Sequence, residues 1–324
     1  MKSSATPFER LKSRISNAVP NFFSRSIRTF LYHSHTVYLA CFSNLGDIVL
    51  SGFLFGTMNS LIADQFSMGP ALSIGQILTT RRAPLMLLWS WCNIFLFCLH
   101  NQRSPETIAE DKVNKPWRPI PAGRLTPDQA KKVLYFMHPL CFLVAFKIGG
   151  FWPYVILVSF HVWYNEFGGA SNPILKNFHN GVGVCCFLAG PFEVATGSSV
   201  FAGNGNAAIW LLILIAMLTT TCHTQDFRDV GGDSAAGRRT VPLVIGDIPA
   251  RLLVAVMAIV WTYVACTFWD AWEVAIIPVS AQLILIGNLF LRRHRMGDIH
   301  AWRLFTIWTQ SLVALPVLRA YRSN

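Results

Sequence analysis

Apolar segments recur from about residue 46 to the end of the chain, and they constrain its fold more than any other feature. The sequence is 53% hydrophobic and only 13% charged, whereas soluble globular proteins carry about 25% charged residues. A helix satisfies its own backbone hydrogen bonds inside a lipid bilayer, so apolar segments of this length predict membrane-spanning helices. We therefore expect an all-α, multi-pass membrane protein with about nine spans, several of them shorter than the ~20 residues that cross without tilt. The expected spans are approximately Gly46–Ala63, Pro84–His100, Val133–Gly150, Trp152–Phe167, Phe178–Thr196, Ala207–Cys222, Ala250–Phe268, Glu273–Leu291 and Arg303–Ala320.

The excess of positive charge on the chain is explained by its expected membrane topology. The formal net charge is +11, and a cytosolic N-terminus places most of the Lys and Arg residues on cytosolic segments, as the positive-inside rule requires. We therefore expect a lipid bilayer as the surroundings, no nucleic-acid partner, and no protein partner from any recognisable motif. The eight cysteines lie in or near apolar segments without ligand spacing, which indicates buried thiols and neither disulfides nor a zinc site.

The N-terminal part differs from the rest. Residues 1–35 mix basic with apolar side chains and show no cleavage-like site, which is typical of an interfacial amphipathic helix, with a disordered basic tail as the alternative. We therefore divide the chain into an N-terminal tail or interfacial helix over residues 1–45 and a transmembrane domain over residues 46–324.

Two acidic clusters stand where apolar runs end. The first is Glu106, Glu110 and Asp111, and the second is Asp226, Asp229 and Asp233. Each is followed by a basic tail marked by proline, over residues 115–124 and 237–242. Carboxylates beside hydrocarbon are costly unless a cation or a function holds them there, so the repetition predicts one shared site, with an ordinary solvated loop as the alternative. Four spans separate the two loops, residues 101–132 and 223–249, which would bring both to the same cytosolic mouth.

The local pattern also predicts helix boundaries within the clusters. Ser104 followed by Pro105 is typical of a helix start, so Glu106 and Glu110 would share one face of a short helix. Asp226 and Asp229 would share a helical face with Asp233, but Gly231-Gly232 favours an early end and a turn at Asp233.

The residue types suit one kind of chemistry. Carboxylate oxygens without cysteine are the ligands that Mg²⁺ prefers, while the neighbouring Arg and Lys residues suit a diphosphate. A diphosphate at the membrane mouth with its organic part among apolar helices indicates an isoprenoid diphosphate substrate. Aromatic faces would stabilise the allylic cation that forms when the carbon–oxygen bond breaks. The candidate aromatic residues are Trp89, Trp91, Phe95, Phe160, Trp163, Tyr164, Phe187 and Phe192. Helix packing or anchoring at the membrane interface is the alternative role, expected for most of them.

At these residues the chain resembles the UbiA superfamily of intramembrane prenyltransferases, over roughly residues 45–320. The resemblance implies a UbiA-type helical bundle around a central cavity, and Tyr164 and Lys176 resemble the family's Tyr and Lys near the fourth cytosolic-side helix. The first motif and its tail match at Asp111, Asn114, Pro116, Arg118, Pro119, Pro121 and Gly123. The second motif matches at Asp226, Asp229, Asp233, Gly237, Arg239, Thr240 and Pro242.

The first motif departs from the family pattern. Thr107 and Arg103 stand where the family has its middle Asp and its Asn, and Asn101, Glu106 and Glu110 are the candidate substitutes. This altered form resembles the fungal branch that contains UbiA-type sesquiterpene cyclases. That resemblance implies Mg²⁺-dependent ionisation of farnesyl diphosphate and cyclisation in the same cavity, as in a class I-type terpene cyclase that releases diphosphate, and an endoplasmic-reticulum location.

These considerations yield a candidate site. We expect Asp111, Asp226 and Asp229 to be catalytic, and Asn180 to face the same mouth. The expected Mg²⁺ ligands are Asn101, Glu106, Glu110, Asp111, Asp226, Asp229 and Asp233. The expected diphosphate-binding residues are Lys115, Arg118, Arg124, Lys176, Arg238 and Arg239.

Two other functions are compatible with parts of the sequence. An aromatic prenyltransferase would share the ionisation step and add a phenolic acceptor, although no acceptor-binding motif is recognisable. A transporter or anion carrier would need ligands near the midplane of the membrane, whereas the acidic residues here cluster at one mouth.

Overall fold

A computed structural model describes residues 25–235 and 237–322, and all regular structure in these ranges is helical, which confirms the all-α prediction. Short 3₁₀ segments at Ala63–Phe66, Gly169–Ser171, Cys222–Asp229 and Trp272–Val274 connect the longer helices. The helices are α1 Arg25–Ser60, α2 Ile74–Leu78, α3 Arg82–Asn101, α4 Pro105–Asn114, α5 Pro127–Ile148, α6 Phe151–Glu166, α7 Pro173–Thr196, α8 Asn206–Thr221, α9 Val230–Ala235, α10 Val241–Ile245, α11 Asp247–Phe268, α12 Ile276–Leu291, α13 Arg295–Val313 and α14 Leu315–Arg322.

The first helix begins earlier than the sequence predicted. The α1 helix is continuous through Ser60, with a 3₁₀ turn at Phe42–Asn44 and a π-helical turn at Leu45–Leu50. The proposed boundary at residue 45 falls inside this helix, and the division into tail and membrane domain stays a prediction. The first 24 residues, which carry most of the expected interfacial segment, lie outside the described residues.

The expected spans all overlap helices, but their count of nine is not confirmed. In the described part of the chain, four helical stretches are long and apolar enough to cross a membrane: Arg25–Ser60, Arg82–Asn101, Asn206–Ser234 and Asp247–Phe268. The α12 helix is apolar but shorter. A short or polar-ended helix can still span a membrane when the bilayer or neighbouring helices adapt to it. A criterion of length and hydropathy therefore does not identify every span.

Glycines allow α1 to pack closely on α7. A Cβ atom at Gly56 would lie 2.9 Å from the backbone carbon of Pro191 and 3.0 Å from the backbone nitrogen of Phe192, and one at Gly52 would collide with the Phe187 carbonyl. Close approach through small residues is a common way for membrane helices to associate. The Gly52 and Gly56 spacing thereby places α7 against the second half of α1.

Three helices next to the polar loops begin with the same N-terminal capping pattern. The side chains of Ser104, Thr126 and Asn172 each accept a hydrogen bond from a backbone N–H in the first turn of α4, α5 and α7. In each case the next residue is proline, whose missing N–H is not needed at the first helical position. The prediction of a helix start at Ser104-Pro105 is confirmed, and the three helices begin sharply beside the polar loops.

Candidate active site

Arg238 joins the two acidic clusters. Its guanidinium lies 2.5 Å from a carboxylate oxygen of Glu110 and 3.6 Å from one of Asp233. Glu110 belongs to the first cluster and Asp233 to the second, so both loops meet at one place. The order of the spans in the sequence predicted that the two clusters share one mouth. The ion pairs of Arg238 show that the two clusters are in contact through one side chain.

Asp111 and Arg118 form a buried ion pair at the base of the first loop. The Asp111 side chain is only 1% exposed, and both of its oxygens accept from Arg118 Nη1 at 2.9 and 2.8 Å. Buried charges persist when they are paired in this way. Arg118 was expected to bind diphosphate, but the structure places its guanidinium on Asp111.

Lys176 reaches the second cluster from the start of α7. Its Nζ donates to Oδ1 of Asp226 at 2.8 Å, and the Asp226 side chain is 4% exposed. The other oxygen, Oδ2 of Asp226, is buried without a hydrogen-bond partner. Tyr164 at the end of α6 lies within electrostatic range of both residues, so the two residues of the family resemblance lie beside Asp226.

Lys115 is the half-buried cation of the first loop. Burial lowers the pKa of its amine below the ordinary value, and Arg118 acts in the same direction, while Asp111, Glu110 and Asp229 oppose the shift. A buried ammonium is costly without a compensating anion. An added anion at this loop would therefore stabilise the charged form of Lys115.

The remaining candidates differ in exposure. The Asp229 side chain is 52% exposed and pairs with its neighbour Arg228 at 3.4 Å. Glu106 and Arg239 are exposed, and neither has a hydrogen bond or ion pair among the described contacts. These three residues are free to rearrange around a ligand.

Arg124 contacts the first helix. Its guanidinium lies 4.2 Å from the centre of the Tyr32 ring and donates to Thr36 Oγ1 at 3.1 Å and to the Tyr32 carbonyl at 3.0 Å. These contacts pack Arg124 against the first helix, and its expected binding of diphosphate stays a prediction. Asn101, the weakest expected ligand, donates to Oδ1 of Asn165 at 3.4 Å, which ties α3 to α6.

The second cluster is built on a tighter helix than expected. Asp226 and Asp229 lie on the 3₁₀ segment Cys222–Asp229, in which residues three apart are nearly eclipsed, so they still share one face. The expectation of a turn at Asp233 is wrong, because α9 continues through Gly231 and Gly232 and includes Asp233. A Cβ at Gly231 would meet nothing within 4 Å, so these glycines are in the helix without being required by packing.

Five of the eight expected aromatic residues fall into two groups. Trp89 and Phe192 are fully buried packing residues, and Trp89 Nε1 donates to the Gly150 carbonyl at 3.2 Å. Phe160, Trp163 and Tyr164 surround the His179 ring with centroid distances of 5.2, 4.5 and 5.7 Å. Both nitrogens of His179 are buried without a hydrogen-bond partner.

Sequence reasoning missed Asn177. This residue is 3% exposed, its Oδ1 has no partner, and its carbonyl lies 3.8 Å from the Cys222 sulfur at the start of the second motif. Asn180, one turn further along α7, also contacts Cys222. Lys176, Asn177 and Asn180 lie close together at the polar start of α7. Only Lys176 and Asn180 were expected at the site, although this clustering also indicates Asn177.

The donor set fits a hard divalent cation, although its members are dispersed. Within the ranges that the structure describes, no three His, Cys, Asp or Glu side chains are gathered closely enough to hold a metal ion. Four of the six cluster carboxylates face lysine or arginine from elsewhere in the chain, those of Glu110, Asp111, Asp226 and Asp233. The unpartnered Asp226 Oδ2 and Asn177 Oδ1 are oxygen donors of the type that Mg²⁺ prefers.

Known proteins resemble the chain across most of its length. The chain is 29% identical over 241 residues to a fumagillin β-trans-bergamotene synthase from Aspergillus fumigatus, covering 73% of this chain and 81% of that protein. It is 27% identical to a polyprenyl transferase from Hericium erinaceus, covering 73% and 75%. A solved UbiA homologue from Archaeoglobus fulgidus, bound to GPP and Mg²⁺, superposes with a TM-score of 0.59 at 12% identity, covering 86% and 99%.

The solved homologue therefore shows the fold, and the relatives include both a terpene synthase and a prenyl transferase. The model of the UbiA prenyltransferase family matches residues 66–309, which include both acidic clusters, Tyr164 and Lys176. With its helical fold and its paired acidic loops, the chain belongs to the UbiA prenyltransferase family, an integral membrane family of prenyltransferases and terpene synthases.

Proposed function

We propose that this protein is a Mg²⁺-dependent membrane terpene cyclase that ionises farnesyl diphosphate and closes it to a sesquiterpene in fungal secondary metabolism. In this role it is a carbon–oxygen lyase that releases diphosphate. The observation that carries the proposal is the ion-pair network of Arg238 with Glu110 and Asp233, since it joins the two acidic loops into one site. The similarity to a bergamotene synthase makes β-trans-bergamotene the first product to test.

The lysine and arginine side chains of the site would bind the diphosphate leaving group. When the carbon–oxygen bond breaks, its electron pair stays on the diphosphate and leaves an allylic cation. A carbon–carbon double bond of the same chain attacks this cation to close the ring, and the resulting cation loses a proton to the released diphosphate. Lys176 and Arg238 are already directed at the site by Asp226 and Glu110, and Lys115 gains its counterion when the diphosphate binds. Preorganised charges of this kind stabilise the negative charge that develops in the transition state.

The metal would be held by the carboxylates and would stabilise the departing diphosphate as a Lewis acid. We propose Asp111, Asp226, Asp229 and Asp233, with Glu106, Glu110 and Asn101 in support, and add Asn177 for its unpartnered oxygen. The similar solved structure with GPP and Mg²⁺ supports this pairing of ligand and metal. Arg118 would act through Asp111, which it holds in place. Arg239 is free to turn to the diphosphate, and Arg124 would reach it only by leaving its contacts with the first helix.

An aromatic prenyltransferase is the second candidate, because a polyprenyl transferase is among the relatives. Membranes that contain the protein would be incubated with farnesyl diphosphate and Mg²⁺ alone, and the headspace analysed for hydrocarbons. A sesquiterpene formed without an acceptor supports the cyclase. Substrate that stays unreacted until a phenol is added would overturn it in favour of transfer.

The acidic residues of the second cluster provide the matching mutational test. Asp226→Ala and Asp229→Ala should each lower diphosphate release by about 10²- to 10³-fold, the range seen when one preorganised electrostatic group is removed. Asp128→Ala is the control, because Asp128 is an exposed acidic residue in the first turn of α5. Release that persists in both cluster variants would contradict the proposed metal ligands.

The proposed location is the endoplasmic reticulum, with the mouth of the site facing the cytosol. The excess of Lys and Arg on the loops at that mouth supports this orientation. An epitope at the N-terminus should be digested by protease added to sealed microsomes, whereas one in the Gly197–Asn206 loop should be protected. The opposite pattern would overturn the proposed orientation.

A further inference from the structure

A groove between α12 and α13 lies outside the site described above. Its cavity has a volume of about 560 Å³. Ile284, Leu291 and Leu304 line its apolar part, and Arg292, His300 and Arg303 line its polar part. None of these residues belongs to either acidic cluster. The groove therefore combines a hydrocarbon-compatible wall with a basic end.

The basic end has no acidic counterpart. No Asp or Glu is among the described residues that line the groove. Two carboxylates of the surrounding segments are engaged in other ion pairs: Asp298 pairs with Arg251 at 2.8 Å, and Asp247 pairs with Arg251 at 2.7 Å and Arg293 at 3.8 Å. Arg292 and Arg303 have no ion pair among the described residues. Two guanidinium groups thus remain available for an anion.

The loop that carries Arg292 is held firmly. Asn288 Nδ2 donates to the Gly297 carbonyl at 2.8 Å, and the Gly297 N–H donates to His294 Nδ1 at 3.3 Å. A Cβ at Gly297 would collide with the Arg292 backbone, so only glycine lets the two segments approach this closely. The Arg292 backbone is therefore fixed at the end of α12.

The groove floor is open at a second glycine. A Cβ at Gly287 would meet nothing within 4 Å, so the space between the helices is unfilled at this position. The neighbouring surface is suited to hydrocarbon, since Leu291 is 85% exposed and Leu283 is 60% exposed. An apolar chain could lie along this surface and enter the groove over Gly287.

We propose that this groove binds one anionic glycerophospholipid, with its phosphodiester on Arg292 and Arg303 and an acyl chain over Gly287. Arginine binds phosphate oxygens through two parallel hydrogen bonds and suits this headgroup. The apolar wall selects a lipid over a free phosphate ion. The site lies at the end of the bundle that carries the second motif, because Trp302 on α13 lies 5.3 Å from the Arg228 guanidinium.

Native mass spectrometry of the detergent-solubilised full chain tests the proposal. The protein would be supplied with phosphatidylglycerol or with phosphatidylcholine of the same acyl chains, and retained lipid counted with and without inorganic phosphate. We expect one tightly retained phosphatidylglycerol and at least a tenfold preference over phosphatidylcholine. The double variant Arg292→Gln/Arg303→Gln should lose that preference. Gly287→Leu, which fills the floor but keeps both arginines, should weaken retention of the lipid by a similar factor.

Matched variants separate the groove from general basic attraction. Arg293→Gln/Arg295→Gln removes two charges from the same segment outside the groove and should retain the lipid. Gly287→Ala, which adds only a methyl group, should also retain it. Equal loss in both double variants would show a non-specific basic surface and overturn the proposal. Retention unchanged by Gly287→Leu, or displacement of the lipid by phosphate alone, would also overturn it.

Discussion

At the scale of single residues, the candidate site depends on how each buried charge is compensated. Asp111 and Asp226 are both nearly inaccessible, but Asp111 is paired with the guanidinium of Arg118 and Asp226 with the amine of Lys176. Arg118 Nη1 donates to both oxygens of Asp111, whereas Lys176 Nζ donates to only one oxygen of Asp226. This difference explains why Asp226 keeps an unpartnered oxygen and Asp111 does not.

The Asp111 pair should dominate the stability of the first loop. Arg118→Gln leaves a buried carboxylate uncompensated and should lower the free energy of unfolding by about 3–5 kcal/mol. The double variant Asp111→Asn/Arg118→Gln should lose less unfolding free energy than the sum of the two single variants. It removes both charges together, so no buried charge is left without a partner. Thermal unfolding in detergent would measure this. Additive losses would show that the two groups act independently.

Lys115 should impose a pH dependence on diphosphate binding. Since burial lowers its pKa, the amine loses its charge at a pH below that of an ordinary lysine, and affinity for inorganic diphosphate should fall as pH rises through this lowered pKa. Lys115→Arg keeps its charge to higher pH and should move the loss upward. Titration calorimetry across the alkaline range would measure the shift. The exposed Lys112→Arg should leave the profile unchanged, and equal shifts in both variants would contradict the assignment.

The same lowered pKa has a consequence for folding. The folded chain disfavours the charged form of Lys115 relative to the unfolded chain, so this residue costs stability at neutral pH. That cost is removed as pH rises from the lowered pKa of the folded state to the ordinary pKa of the unfolded state. A bound diphosphate offsets the same cost, which couples ligand binding to the order of the first loop.

At the scale of elements, short helices carry the chemistry and long helices support them. The α4 and α9 helices and the 3₁₀ segment Cys222–Asp229 hold the acidic residues, while α6 and α7 supply Tyr164 and Lys176 from their ends. Polar termini of membrane helices are places where side chains meet water and charged ligands without crossing hydrocarbon. The active loops can therefore rearrange while the bundle stays packed.

Arg238 should hold these two short elements together. Arg238→Ala removes the contact between Glu110 and Asp233, so hydrogen exchange should increase over both α4 and α9, and diphosphate release should fall by at least about tenfold, as expected for an oriented charge at a reacting phosphate. The adjacent Arg239→Ala is the control for loop order, since Arg239 is exposed and has no ion pair among the described contacts. Increased exchange confined to one of the two helices would count against the bridge.

At the scale of the whole molecule, close contacts to α7 organise the bundle. Gly52 and Gly56 of α1 meet one part of this helix, and Trp89 of α3 lies against Gly190. Such contacts replace the hydrophobic driving force, which is weak between helices in a bilayer. The position of α7 in turn sets where Lys176 and Asn177 stand relative to the second motif.

Two glycines of α7 provide a test of this packing. A Cβ at Gly190 would collide with the fully buried Trp89 ring, so Gly190→Ala should lower the free energy of unfolding by about 1–3 kcal/mol. Gly183→Ala on the same helix meets nothing within 4 Å and should be neutral or slightly stabilising. Denaturant or thermal unfolding in detergent compares the two. Equal stability of both variants would show that the contact between α3 and α7 adapts freely.

Several features could be predicted because they depend on local sequence. The helix start at Ser104 and the apolar helices follow from capping chemistry and from hydrocarbon composition, and the structure confirms both. The continuation of α9 through Gly231 and Gly232 was not predicted, since glycine disfavours a helix by roughly 1 kcal/mol, an amount that tertiary contacts override. The close approach of α1 and α7 was also missed, although Gly52 and Gly56 carry the spacing of a membrane-helix contact.

By itself, the sequence determined the membrane-helix class and the two acidic motifs, because composition and short spacings encode them. The tertiary structure alone decided which cation meets which carboxylate. Lys176 and Asp226 are 50 positions apart, and Arg124 donates to the carbonyl of Tyr32, 92 positions away. Pairs of residues so far apart in sequence form only where helix packing brings them together. A buried charge is therefore compensated by the counterion that lies next to it in the packed structure.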